Sequence, residues 1–166
     1  MTTALYPKRN PEDLRKVKRI IASLVILSRE DKILMGRKDL LKGGVYPAVW
    51  HIPGGGVNRD ESLEDAARRE GLEEVGIDFI SEKLTPLPFI GRGESVKTLP
   101  TGEKVWCTMI FNRFEVRLDK PASQAEVSPG DDLIELRWFS SNELAEVNQV
   151  PGGKEFFIQA GYVQKE

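Results

Sequence analysis

The 166 residues are 40% hydrophobic and 30% charged, with a formal net charge of −2. That length and composition suit one domain with its own core, and the balanced charge excludes a general attraction to nucleic acid or acidic membranes. The single cysteine, Cys107, excludes an internal disulfide and is expected of a reducing cytosol, while no apolar run approaches the roughly 20 residues that cross a bilayer.

Residues 1–11 are polar, contain Pro7 and Pro11, and lack the apolar core of a secretory signal; they predict a loose arm. Residues 12–19 hold Arg15, Lys16, Lys18 and Arg19. They read as a solvated lead-in to the first strand, the competing reading being a basic patch for a phosphate-rich partner. Residues 20–27 are apolar and rich in branched side chains, which predicts a strand buried on both faces. Arg29, Glu30 and Asp31 predict a turn, and residues 32–37 a second strand that closes a hairpin. Residues 39–46, with Gly43 and Gly44, predict a mobile loop. Residues 49–52 predict a short strand that delivers Pro53 and the run Gly54-Gly55-Gly56.

A helix is expected next. Asp60 or Ser62 can cap its start and Gly76 suits a left-handed cap at its end. Within it, Glu70, Glu73 and Glu74 are three and four residues apart and crowd one face. Like charges at that spacing cost about 0.2–0.5 kcal/mol per pair. A divalent cation relieves that repulsion, and Mg²⁺ takes carboxylate and phosphate oxygens. The competing reading is a solvated acidic face.

Beyond the helix, residues 78–88 predict a loop with a strand start, and residues 89–93 a short strand. Residues 99–104 predict a turn with Thr101 and Gly102 at its tip. Residues 105–114 predict the strongest later strand. Cys107, Met109 and Phe111 lie on one face, Trp106 and Ile110 on the other, so helices are expected on both sides of a sheet. Residues 120–130 predict a polar loop, and residues 134–139 a further strand. Ser140, Asn142 and Glu143 begin a helix through about residue 147. Pro151, Gly152 and Gly153 break it before a short terminal helix over residues 154–160. The chain thus divides into an arm and lead-in (1–19), a single α/β domain (20–160) and a tail (161–166).

The order Gly55, five residues, Glu61, seven residues, Arg69-Glu70, two residues, Glu73-Glu74, one residue, Gly76-Ile77 resembles the signature of the Nudix hydrolase family. Gly71 departs from it, standing where the family carries an aliphatic residue. Glycine within a helix costs about 1 kcal/mol against alanine, so the departure bears on local packing rather than on metal chemistry.

The resemblance implies the Nudix fold, an α/β/α sandwich with a mixed β-sheet. It also implies Mg²⁺-dependent hydrolysis of the diphosphate linkage in a nucleotide or nucleoside diphosphate derivative, with Mn²⁺ as a possible substitute. Glu70 and Glu74 resemble the main metal ligands, with Glu73 beside them as a candidate base. The family's backbone carbonyl ligand falls on Gly54, Gly55 falls at the substrate, and Glu61 suits a water-mediated metal contact. Arg69 resembles the arginine that orients these glutamates, a surface ion pair being its alternative. The family also draws a base from a later loop. Asp131, Asp132 and Glu135 lie there, with Asp132 preferred and Glu135 second. Arg37 resembles a contact to substrate phosphate, for which a sheet-rim salt bridge competes.

His51 reads as structural. Trp50, Tyr46, Trp106, Phe89 and Trp138 include candidate base-stacking platforms. The glycine run is not a P-loop, because no Gly-Lys-Ser/Thr follows. Gly93, where ADP-ribose subtypes carry proline, counts against that substrate. The stretch of residues 46–57 is similar to GDP-mannose hydrolases, so nucleoside triphosphates and nucleotide sugars both stay open. The expected partner is a small nucleotide, with a homodimer possible and a cytoplasmic location. A catalytically silent nucleotide-sensing module is the alternative function, against which the retained carboxylates count. Prenyl diphosphate isomerisation would want a catalytic cysteine, and Cys107 lies mid-strand.

Overall fold

The computed structural model describes residues 13–39 and 49–164. The expected arm (residues 1–11) and residues 40–46 of the expected loop, with Tyr46, lie outside them. At the centre run two parallel strands, β1 (Arg15–Leu27) and β7 (Lys104–Arg117), paired from Arg15↔Val105 to Leu27↔Arg117. The other edge of β1 is shared. β4 (Gly54–Gly56) pairs antiparallel with Ile21, Ala22 and Ser23, and β2 (Ile33–Lys38) touches it only at Leu27↔Ile33. Beyond β2 lie β3 (Trp50–His51) and β8 (Leu133–Phe139), and against β7 lie β5 (Thr85–Pro86) and β6 (Gly91–Thr98). Parallel and antiparallel pairs coexist, so the sheet is mixed, and it curls because β1 changes partner along its length.

Alternation along β1 supplies both cores. Ala22, Leu24 and Ile26 face α1 (Leu63–Val75) and pack with Ala66, Ala67, Val75 and Phe79. Val25 and Leu27 face the opposite side with Ile33 and Met35, and meet Phe139, Leu144, Phe156 and Phe157 under α2 (Ser141–Glu146) and α3 (Gly153–Gln159). Each fully buried phenylalanine stabilises the fold by about 1.5–3 kcal/mol. The two faces carry helices, as the apolar pattern of β7 predicts. Among the described residues, no helix is long and apolar enough to cross a membrane.

Helix ends follow local chemistry. Ser62, not Asp60, caps α1, its Oγ accepting from the Asp65 N–H at 3.1 Å, and Gly76 closes the helix at φ 76°. Ser140 and Glu143 form a reciprocal capping box at α2. Gly71 has a structural reason: a Cβ there would lie 2.8 Å from Phe79 Cε2 and 2.9 Å from Leu24 Cδ1. The Phe79 ring and Leu24 occupy the space that a side chain at 71 would take.

Boundaries differ from expectation in several places, β7 among them, which runs on from the expected residue 114 to Arg117. The lead-in is strand from Arg15, because ladder hydrogen bonds to β7 do not require apolar side chains. The expected hairpin separates after one residue pair, since β4 occupies the edge of β1 and β3 takes the same edge of β2 at Gly36 and Arg37, β8 lining the other. The short strand expected over 89–93 is β6, Gly91–Thr98, held by its antiparallel pairing with β7 across the turn in which Leu99 N–H donates to Glu103 C=O. The terminal helix starts one residue early, at Gly153, where Gly152 at φ 85° redirects the chain.

Candidate metal and substrate site

Edge pairing sets the glycine loop. Leu24 N–H donates to Pro53 C=O and Val57 N–H to Ile20 C=O, both at 2.9 Å. In an antiparallel ladder alternate residues bond, so Gly55 faces Ala22, while Gly54 and Gly56 turn their backbone groups away from β1 towards α1. The Gly56 carbonyl accepts from Arg69 Nη2 at 2.9 Å, and a Gly54 backbone hydrogen bond reaches the Glu74 carboxylate. Glycine is required at 55, because a Cβ there would sit 2.5 Å from Glu70 Oε1. The bare backbone lets the helix lay its acids on the loop.

Arg69 ties the acids together. Its Nε and Nη2 donate to the two Glu61 oxygens at 2.8 and 2.9 Å, and its Nη1 donates to Glu70 at 2.8 Å and to Glu73 at 3.4 Å. Glu61 also accepts from the Asn58 N–H, and these partners pull its carboxyl down to about 2. The guanidinium is correspondingly held above its ordinary pKa by Glu61 first. Glu61 is thus committed to Arg69 and Asn58 and stands outside the two acidic groups described next.

Glu70 and Glu74 are 7% and 3% exposed. Glu74 is pushed up to about 9, by burial first and then by the Glu70 charge. Its Oε2 is buried with no hydrogen-bond partner. A third acid comes from the later loop, and it is Asp131 as well as the preferred Asp132. The loop before β8 docks on the C-terminal end of α1: Ser128 N–H donates to Val75 C=O, and Gly130 N–H to Glu74 C=O at 3.0 Å. Asp131 follows at φ 56°. Ligand oxygens of Glu70, Glu73 and Asp131 lie within 4.8 Å of one another, and so do those of Glu74, Asp131 and Asp132. Asp131 belongs to both groups. In the sequence Asp131 is one of three loop acids, ranked behind Asp132 and Glu135.

These residues fit a hard divalent cation. The donors are all oxygen, and the orphaned Glu74 oxygen lacks the partner that a buried carboxylate needs. Lys38 Nζ stands 3.0 Å from Asp132. Arg37 Nη2 stands 2.5 Å from Glu135, and its guanidinium lies 5.6 Å from the Trp50 ring.

A cleft of about 610 Å³ opens on the α3 side of β1 and β7, bordered by Gly54, Gly55, Arg19, Phe89, Arg113 and Phe156. Arg19 reaches over Gly56, where a Cβ would meet its Nε at 2.7 Å. His51 borders the cleft. Burial lowers its pKa, its Nδ1 lies 3.0 Å from Ile52 C=O, and its Nε2 is buried without a partner. Of the candidate platforms, Phe89 borders the cleft, while Trp50 packs edge-on against Phe139 and Trp138 packs on the α1 core.

The NUDIX domain family model matches residues 17–159. A nucleoside triphosphatase NudI of Escherichia fergusonii is 34% identical over 103 residues, which cover 62% of this chain and 70% of that protein. A MutT protein from Methanosarcina mazei Go1 superposes with a TM-score of 0.64 at 25% identity, covering 89% of this chain and 96% of its own. The dihydroneopterin triphosphate pyrophosphohydrolase of E. coli superposes with a TM-score of 0.66 at 18% identity, over 86% and 96%, and shares the fold.

Proposed function

Because the chain belongs to the NUDIX domain family and is a pyrophosphohydrolase, we propose that it cleaves nucleoside triphosphates between phosphates, with Mg²⁺ or Mn²⁺ as cofactor. The observation that carries this reading is the buried, unpartnered Glu74 oxygen, grouped with Asp131 and hydrogen-bonded through its carboxylate to the backbone of Gly54, which borders a cleft of about 610 Å³. Similarity to a nucleoside triphosphatase supports triphosphates over nucleotide sugars.

Glu70, Glu74 and the outward-facing Gly54 carbonyl would hold the ion, joined by Asp131. When bound, a divalent ion neutralises phosphate charge and acidifies water. Arg69 fixes the rotamers of Glu61, Glu70 and Glu73, so the acids are preorganised before substrate arrives. Arg19 and Lys38 flank the glycine loop and supply positive charge to the phosphates. Gly55 admits the diphosphate to within backbone distance. Glu73, partly open to solvent and paired with Arg69, and Asp132, held by Lys38, would be the groups that take the proton of an attacking water. Arg37 would reach a phosphate by exchanging Glu135 for substrate. Cys107, a free and buried thiol, suits a cytoplasmic location.

The test is hydrolysis of nucleoside triphosphates, nucleotide sugars, ADP-ribose and dinucleoside polyphosphates with Mg²⁺ or Mn²⁺, with both products identified. At least one triphosphate should give a monophosphate and pyrophosphate, and EDTA should abolish turnover. Turnover that survives rigorous chelation, or confined to nucleotide sugars, overturns the reading.

A further inference from the structure

Arg113 lies in the middle of β7, in register with Ser23, which pairs in turn with Gly54. Two strand spacings, about 10 Å, therefore separate its backbone from the glycine loop. Period two puts Arg113 on the cleft face with Met109 and Phe111. Its guanidinium carbon is 4.0 Å from the Phe156 ring centre and 5.4 Å from that of Phe111. Across the strand pair, Gly91 makes the room: a Cβ there would lie 2.6 Å from Arg113 Nη1. Among the described residues no carboxylate pairs with this guanidinium and none of its nitrogens makes a hydrogen bond. Burial alone pushes its pKa down to about 10.

The two rings account for the faces of the guanidinium and leave its edges. Arg113 is half-buried, and a partly desolvated cation without an anion is costly; arginine offers five donors and no acceptor. A residue of that kind, set beside a substrate cleft, is matched by a ligand rich in acceptors. The phosphates are held at the loop about 10 Å away, so the group that reaches Arg113 is the nucleoside end.

We infer that Arg113 is a specificity-determining residue that reads the carbonyl edge of the nucleobase and favours guanine, uracil, thymine and cytosine nucleotides over adenine. Adenine bears an amine, a donor, where a 6-oxopurine bears an acceptor, and it has no ring carbonyl. Rejection of an analogue that leaves a buried polar group unpaired is strong. The inference rests on the triphosphatase reading and deepens it.

The experiment compares kcat/KM for ATP, GTP, CTP and UTP in the parent, in Arg113→Met and in Arg113→Lys, with thermal melts of all three. Arg113→Met fills the same apolar gap without the charge. The parent should prefer at least one carbonyl-bearing base over ATP by about tenfold or more, corresponding to about 1.4 kcal/mol. Arg113→Met should melt at or above the parent and flatten the preference to about threefold or less, mainly through KM for the carbonyl-bearing substrates. Arg113→Lys, lacking the fork, should restore little of it. A parent indifferent to ATP, or parental selectivity in either folded variant, overturns the inference while the triphosphatase reading stands. Arg113→Met melting well below the parent, with selectivity intact in Arg113→Lys, assigns Arg113 to packing. Absence of turnover on every triphosphate overturns both.

Discussion

Glu74 concentrates the conflict between folding and function at single-residue scale. It is almost fully buried, beside Glu70, with one oxygen unpartnered. The folded-state carboxyl is raised to about 9 from an ordinary 4.5. Through that window the unfolded chain has released a proton that the metal-free folded chain retains, so stability falls as pH rises. Glu74→Gln has no proton to lose. In EDTA the variant should match the parent near pH 5 and exceed it progressively towards pH 9, on the order of 1 kcal/mol per pH unit. Denaturation curves in EDTA across pH check this, and parallel curves would mean that the folded carboxyl is already ionised. With Mg²⁺ and substrate the same variant should lose about a hundredfold in kcat, as expected when one preorganised charge is removed.

Two glycines carry predictions at the scale of elements. A Cβ at Gly130 would lie 2.2 Å from the Glu73 carbonyl oxygen, which is helix backbone and cannot swing aside. Gly130→Ala should therefore lift the loop from the end of α1 and displace Asp131 and Asp132. Its kcat should fall at least about tenfold, the scale of a misplaced catalytic group, while metal-free stability drops modestly. Steady-state kinetics beside a melt tests this, and full activity would detach the loop from catalysis. Gly71 shows the opposite balance. Alanine gains about 1 kcal/mol of helix propensity, but its methyl meets Phe79 and Leu24, which are 0% and 1% exposed. Overpacking costs about 1–3 kcal/mol, so Gly71→Ala should lower Tm by a few degrees at this chain length, with kcat per folded molecule retained. A higher Tm would show that Phe79 has room to shift.

At the scale of the whole molecule, the parallel β1 and β7 pair is the frame on which everything is positioned. Its two faces bury separate cores, one behind α1 and one beneath α2 and α3. The site lies where β4 leaves β1, so a metal ion bound there would fasten α1, the glycine loop and the loop before β8 at once. Binding to the native state adds stability by mass action, about 2.7 kcal/mol at a hundredfold excess over Kd. Mn²⁺ or Mg²⁺ should thus raise Tm by several degrees, and a combined Glu70→Gln and Glu74→Gln variant should lose most of that rise. An identical metal-induced shift in that variant would place the ion elsewhere.

Legible in the sequence are the helix of acids, its Gly76 cap, a start at Asp60 or Ser62, the alternation of β7 and the spacing that marks Glu61, Arg69, Glu70, Glu73 and Glu74. Those features are local: helix geometry converts a spacing of three or four into a shared face, and a cap needs only its neighbours. Tertiary structure alone decided the rest. Arg15 belongs to a strand because β7, nearly a hundred residues away in sequence, supplies the ladder. Asp131 joins the acids because Gly130 can lie on the end of α1, and Arg19 meets the glycine loop because Gly56 lacks a side chain. Arg113 stands one period-two step beyond Phe111, but only the folded chain sets it beside Phe156 and without a carboxylate. Such facts depend on which segments meet across the sheet, a choice made by burial of the whole chain rather than by any stretch of it.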